Sequence, residues 1–303
     1  MQKQFILSLT FLSIILFFNG CGVSVENRAS IFKSKHFEEN YVAENDDLED
    51  ILEESQKADL DPTKWAFIIS IENYKDADEV RFSKRSGEMF GKVANHSLGV
   101  PERNIYTLID SDATTTAIKD NLRRMLENVK QGDTVYFYYS GHGVPSNNGK
   151  AYILPQDKFV DYVHEDQNLQ LDNIYLNLTS SKAGKVIAFV DSCFSGRTGA
   201  ENSQTLFKDK GVAGIYARKV KTEFDKNKMV VLTAGSNTQF SNMLKEKGHR
   251  MFSYFLMRDI LKGNKDLDIL FSSVKVKVYE SSNRLGDRYK QVPEINGNRN
   301  LNL

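Results

Sequence analysis

Cysteine is nearly missing from this chain: of 303 residues, only Cys21 and Cys193 carry a thiol. That excludes a disulfide framework and a paired-cysteine metal knuckle. An excess of charge of one sign is missing as well. Forty Lys and Arg stand against forty Asp and Glu, so nothing in the total points to nucleic acid or to a strongly charged partner. No internal repeat is visible. The apolar stretch at the N-terminus, Phe5 to Phe18, is short for a helix that spans a membrane. The remainder, at 40% hydrophobic and 26% charged, suits one large globular domain with appendages.

The even balance hides an asymmetry. Residues 38–61 carry eleven acids against the single base Lys57, and from Pro62 onward the chain is mildly basic. The first twenty residues read as a targeting segment, with Lys3, an apolar core, then Gly20 ahead of Cys21. A small residue before a cysteine, directly after the apolar core, resembles the lipobox of bacterial lipoproteins. That resemblance implies a signal peptide over 1–20, lipidation of Cys21 and a protein held on a membrane of the bacterial cell envelope. The alternatives are an uncleaved N-terminal anchor and a signal with an incidental cysteine. Residues 21–61 then read as a lipidated acidic tether, with a short helix possible where Leu48, Ile51 and Leu52 fall at helical spacing.

From Trp65 the pattern changes. "WAFIISI", "NIYTLID", "TVYFYYS", "AYILP", "KVIAFVD" and "MVVLTAGS" read as six strands. Between and after them lie amphipathic stretches of helical period, among them "TTTAIKDNLRRMLENVKQGD" with a threonine cap and a glycine stop. Strands alternating with helices predict an α/β domain over 62–303: a three-layer fold with a mainly parallel six-stranded sheet and helices on both faces.

Two of these strands end on residues that packing does not ask for. One ends in Ser140-Gly141-His142-Gly143 and another in Asp191-Ser192-Cys193-Phe194-Ser195-Gly196. Parallel strands bring their carboxyl ends to one edge, where sites collect. A thiol and an imidazole on that edge are the minimum for nucleophilic catalysis, since the thiolate attacks and the histidine carries its proton. His36, His96, His164 and His249 are read as surface or satisfied core residues, with His249 on the surface near the cleft.

The motifs "YYSGHG" and "FVDSCFSG" resemble the caspase-like cysteine peptidases, and the metacaspase-type branch most of all. The 51 positions between His142 and Cys193 match a spacing known for caspases. The likeness runs to the end of the chain through "KWAFIISIENY", "YILPQD", "VLTAGSNTQFS" and "HRMFSYFLMRDILKG". It implies Cys193 as nucleophile, His142 as general acid and base, and the N–H groups of Gly143 and Cys193 as the oxyanion hole. Ser140, Asp191 and Ser86 match positions that line the primary specificity pocket. The last of these departs from the pattern, because Ser86 stands where metacaspases carry a second acid, with Arg85 beside it. The implied activity is endopeptidase cleavage of peptide or protein substrates after Arg or Lys. The other reading is a binding module that kept the fold and lost the chemistry. The resemblance implies no cofactor; calcium is used by some relatives, but Asp157, Asp161, Asp166 and Asp172 form no defensible calcium spacing, and Asp157 reads as structural. Lysines in 208–228 and Arg218 fall where relatives are cut during self-processing.

Overall fold

The computed structural model describes residues 45–146, 148–195, 222–236 and 239–303. The expected signal segment, Cys21 and the expected tether up to residue 44 lie outside the described residues, as does most of the basic stretch with its cleavage candidates. The order of elements is α1 (Leu48–Glu54), β1 (Lys64–Ser70), α2 (Ser83–His96), β2 (Ile105–Ile109), α3 (Thr115–Asn128), β3 (Thr134–Ser140), β4 (Gly143–Pro145) and β5 (Ala151–Ile153). Then follow α4 (Leu171–Ser180), β6 (Lys185–Asp191), β7 (Met229–Thr233), β8 (Met243–Leu244), β9 (His249–Arg250), α5 (Met251–Leu261), α6 (Leu267–Arg284) and β10 (Glu294–Gly297).

Six strands form the central sheet in the order β10-β7-β6-β3-β1-β2. All neighbours run parallel except β10, which pairs with β7 antiparallel. The sheet has six strands, as expected, but one member differs. "AYILP" does not join it: β5 pairs with β4 in a separate hairpin, and its Tyr152 bridges to Gln170. The sixth place is taken by β10, whose short, half-exposed "EING" has too little apolar content to read as a strand. It gains its partners only because β7 leaves an open edge.

The two-residue period of the strands divides the core. Phe67, Ile69, Val135, Phe137, Tyr139, Val186 and Ala188 face α3 and α4, meeting Ile118, Leu122, Met125, Ile174 and Leu178. Ala66, Ile68, Tyr136, Tyr138, Ile187 and Phe189 face the other way, onto Met89, Phe90 and Val93 of α2 and Phe252, Leu256, Leu270 and Val274 of α5 and α6. The central strand β3 is buried along its whole length. The threonine cap of α3 is formed as expected, with Thr114 Oγ1 accepting from Ala117 N at 3.2 Å. Asp157 serves the same helix end, accepting from the N–H and hydroxyl of Thr115.

The acidic segment is not a free spacer over its described part. Leu48 is fully buried among α2 and α5. Asp47 accepts from Tyr254 Oη at 2.8 Å and pairs with Lys247 at 3.1 Å. Asp46 bonds the Arg85 guanidinium and His249 Nε2, the latter at 3.2 Å. Burial by itself would raise the Asp46 carboxyl, but His249, the Leu48 N–H and Arg85 outweigh it and hold it at about 2. The compact unit therefore reaches back past residue 62 to include α1, and acids that looked like solvated charge are ion-pair partners.

Candidate active site

Three strands end side by side at the carboxyl edge of the sheet. Register pairs Ser70 of β1 with Ser140 of β3, and Ser140 with Asp191 of β6. The chain beyond Ser140 stays beside the chain beyond Asp191, since Gly141 N donates to Asp191 O at 3.4 Å. His142 and Cys193 each lie two residues beyond the end of their strand on these two neighbouring segments.

The His142 main chain is locked by two tyrosines. Tyr74 Oη accepts from His142 N at 2.7 Å, and Tyr139 Oη donates to His142 O at 2.5 Å. The Tyr74 ring packs against the imidazole with centroids 4.8 Å apart. A side chain at Gly141, whose φ is +157°, would collide with the Tyr74 hydroxyl and lie 3.1 Å from that of Tyr139, so only glycine fits there. Gly143 is constrained from the opposite side. A Cβ on it would lie 2.5 Å from Cys193 O and run into the Phe194 ring. The two glycines flanking the histidine thus serve different neighbours: one admits the tyrosines and the other admits the cysteine loop.

The imidazole is buried, and its Nε2 lies 2.8 Å from the carbonyl oxygen of Asp78. A carbonyl only accepts, so in the neutral ring Nε2 carries the proton and Nδ1 the lone pair. Burial, opposed by the Asp78 bond and reinforced by the charge of Arg250, holds His142 at about 4. The ring is therefore a neutral base at pH 7. The Cys193 thiol is partly exposed and receives the Ser195 hydroxyl at 3.9 Å. Its proximity also adds to burial in raising the Tyr139 phenol. The carbonyl of His142 accepts from Leu154 N at 3.2 Å. That makes Gly143 and Ile153 a non-hydrogen-bonded pair of the β4–β5 hairpin, which turns the Gly143 N–H away from β5.

The depressed imidazole makes a stability prediction. An unfolded histidine takes up its proton near 6.5, whereas the folded His142 waits until about 4. Stability is intact above pH 6.5 and falls as pH drops through that interval, by about 3 kcal/mol in all. Urea titrations at pH 7, 5.5 and 4.5 should show this loss, and His142→Gln should remove most of it. An equally steep fall in the variant would assign the loss to other groups.

The specificity-pocket candidates lie together but present no free face. Ser140, Ser86 and Asp191 are all fully buried. Ser140 Oγ donates to Ser83 Oγ at 2.9 Å. Ser86 Oγ accepts from Arg250 N at 3.0 Å and lies 3.3 Å from His249 Nδ1. Asp191 accepts from the Ser241 hydroxyl, from Ser253 N at 3.0 Å and from Ser253 Oγ at 2.6 Å. The cation beside it is Arg250, whose Nε lies 4.0 Å from Asp191 Oδ1. Arg85, the residue beside Ser86, bonds Asp46. His249, expected on the surface, is buried, because β9 rather than a helix starts there and its ring meets Ser86 of α2 and Asp46. Of the acids considered for calcium, Asp166 pairs with Lys119 at 3.0 Å and Asp172 with Lys150 at 2.6 Å.

A family comparison decides what this edge belongs to: the model described as Caspase domain matches residues 63–302. The chain belongs to the caspase-domain family of cysteine peptidases. Among curated proteins, this caspase domain is 27% identical over 183 residues to Metacaspase-6 of Arabidopsis thaliana, covering 56% of the chain and 45% of the relative. It is 25% identical over 151 residues to a probable protease of a Desulfuromonadales bacterium, covering 43% of the chain and 18% of that protein. The chain thus spans less than half the length of these relatives. Among solved structures it resembles Caspase-1 from Spodoptera frugiperda, with a TM-score of 0.55 at 16% identity over 79% of this chain and 88% of that one. A Geobacter sulfurreducens protein gives 0.54 at 16% identity over 78% and 94%. At such low identity the structural likeness shows the three-layer fold alone. Tyr74, the Asp78 carbonyl and Arg250 are the site residues that sequence reasoning passed over. Tyr74 and Arg250 lay inside quoted motifs, but nothing in their spacing marked them.

Proposed function

We propose that this caspase domain is a cysteine endopeptidase in which Cys193 is the nucleophile and His142 its base. The observation that carries the reading is the meeting of the two strand ends, with a neutral imidazole tied through Nε2 to Asp78 O. The Cys193 thiol gives its proton to Nδ1 as the sulfur attacks the substrate carbonyl carbon. The N–H groups of Gly143 and Cys193 take the oxyanion. Collapse breaks the C–N bond, and the imidazolium returns the proton to the departing amine. Water, deprotonated by the same imidazole, then releases the acyl group from sulfur. Saturable labelling of Cys193 by a peptidyl electrophile, lost in His142→Gln, is the expected result. Labelling that ignores His142 would favour the module that kept the fold and lost the chemistry.

The substrate reading is cleavage after Arg or Lys, with Asp191 as the charge that pairs with the basic side chain. With Ser86 in place of a second acid, arginine is favoured over lysine, since its planar fork uses one carboxylate and the Ser140 hydroxyl together. A peptide-library profile should peak at Arg. A peak at apolar residues would leave Asp191 as a brace for Ser241 and Ser253.

The cellular reading is a lipoprotein anchored through Cys21 in the bacterial envelope. Multiple acyl chains hold a protein firmly where one does not. Cys21→Ser should move the protein from the membrane to the soluble fraction or leave it unprocessed. Mass spectrometry of a mature protein with an unmodified Cys21 would refute the anchor.

A further inference from the structure

We propose that Arg250 is a resident gate of the primary specificity pocket: its guanidinium lies where the side chain of a basic substrate residue must go, and it has to swing aside before cleavage after Arg or Lys. The proposal rests on the reading of Asp191 as the carboxylate that receives that side chain.

Arg250 is nine-tenths buried, with 9% of its side chain exposed. A guanidinium placed there for stability would have its donors paired, because an unpaired buried donor is costly. This one is held unevenly. Nη2 donates to Ser241 O, Nη1 reaches Arg81 O only at 3.4 Å, and Nε has no hydrogen-bond partner. Nε instead stands 4.0 Å from Asp191 Oδ1, too far for a hydrogen bond and close enough for an ion pair. Its charge also helps to lower His142.

Two further observations make departure feasible. The Arg250 backbone is fixed independently of its guanidinium, by Ser86 Oγ at 3.0 Å and by pairing with Met243. The side chain can therefore rotate without unravelling β9. Asp191 in turn keeps three donors, the Ser241 hydroxyl and the N–H and hydroxyl of Ser253, when Arg250 leaves. The carboxylate is held in place for an exchange of one guanidinium for another. Two guanidinium groups beside one carboxylate repel each other, so the substrate's group and Arg250 exclude one another. A pocket that is open only part of the time binds more weakly by the open fraction.

Full-length protein in detergent, wild type and Arg250→Ala, should be compared on a peptide with Arg before the scissile bond. The expected result is a KM lowered by about tenfold or more, with kcat changed far less. An unchanged or higher KM, with the wild type still cleaving after Arg, overturns the gate and leaves the Asp191 reading standing. Cleavage after Asp or Glu by the wild type, abolished in Arg250→Ala, would make Arg250 the direct reader of an acidic side chain and would overturn both. Arg250→Met keeps the aliphatic stem and repeats the test if the alanine variant folds poorly. A crystal structure of wild type inactivated by an arginyl chloromethyl ketone gives a readout that needs no variant: Arg250 should have left Asp191. Its persistence at Asp191 beside the bound arginyl group would also overturn the gate.

Discussion

Cys193→Ala is expected to lose peptide hydrolysis by at least about three orders of magnitude while keeping the fold. The residue is partly exposed, and its sulfur accepts a long bond from Ser195. The buried neighbour Phe194 carries the packing at that turn. Removing one sulfur there costs little stability and all of the nucleophile. His142 is less separable, since its ring is buried between Tyr74 and the Asp78 carbonyl. His142→Gln, which can still reach a carbonyl, is therefore a better probe than alanine. It should lose activity to a similar degree, and the double variant should lose no more than Cys193→Ala alone, because the two groups act as one unit. Turnover at the wild-type rate in Cys193→Ala would end the assignment of the nucleophile.

A fragment beginning at residue 62, where the composition changes and the family match starts at 63, should be less stable than one beginning at residue 45. The difference is expected to be about 3 kcal/mol or more, since burial of a leucine is worth about 2–5 kcal/mol when truncated. For a domain of this size that lowers the melting temperature by roughly 10 °C. The missing piece holds Leu48, fully buried, together with Asp46 and Asp47. Without it, His249 loses its carboxylate and Tyr254 its acceptor, and both face water at the end of α5. Arg250 would feel the change through Ser86, which touches both His249 and the Arg250 N–H. Thermal melts of the two fragments and of Leu48→Ala in the longer one measure it. Equal melting temperatures would return the segment to the role of a tether.

The strands and helices that build the sheet were legible because each declares itself over a few neighbouring residues. "TVYFYYS" has no polar face and needs burial on both sides, and Thr114 and Ile118 to Met125 mark a capped helix of constant period. His142 and Cys193 were legible for a related reason. Parallel strands carry their ends to one edge whatever lies between, so the sequence alone placed both segments at that edge, while the packing made β3 and β6 neighbours. Tertiary structure decided everything that depended on which long-range partner a group meets. β10 is a strand only because β7 has an edge to offer. Asp46 and Asp47 are ion-pair partners only because α5 brings His249 and Lys247 to them. Asp191 and Arg250, 59 positions apart, share one charge environment because the β8–β9 hairpin folds back over the end of β6. Local pattern is set by side-chain periodicity within a segment. The charge state and freedom of a buried pocket are set by groups from several segments, and only their packing brings those within a few ångströms.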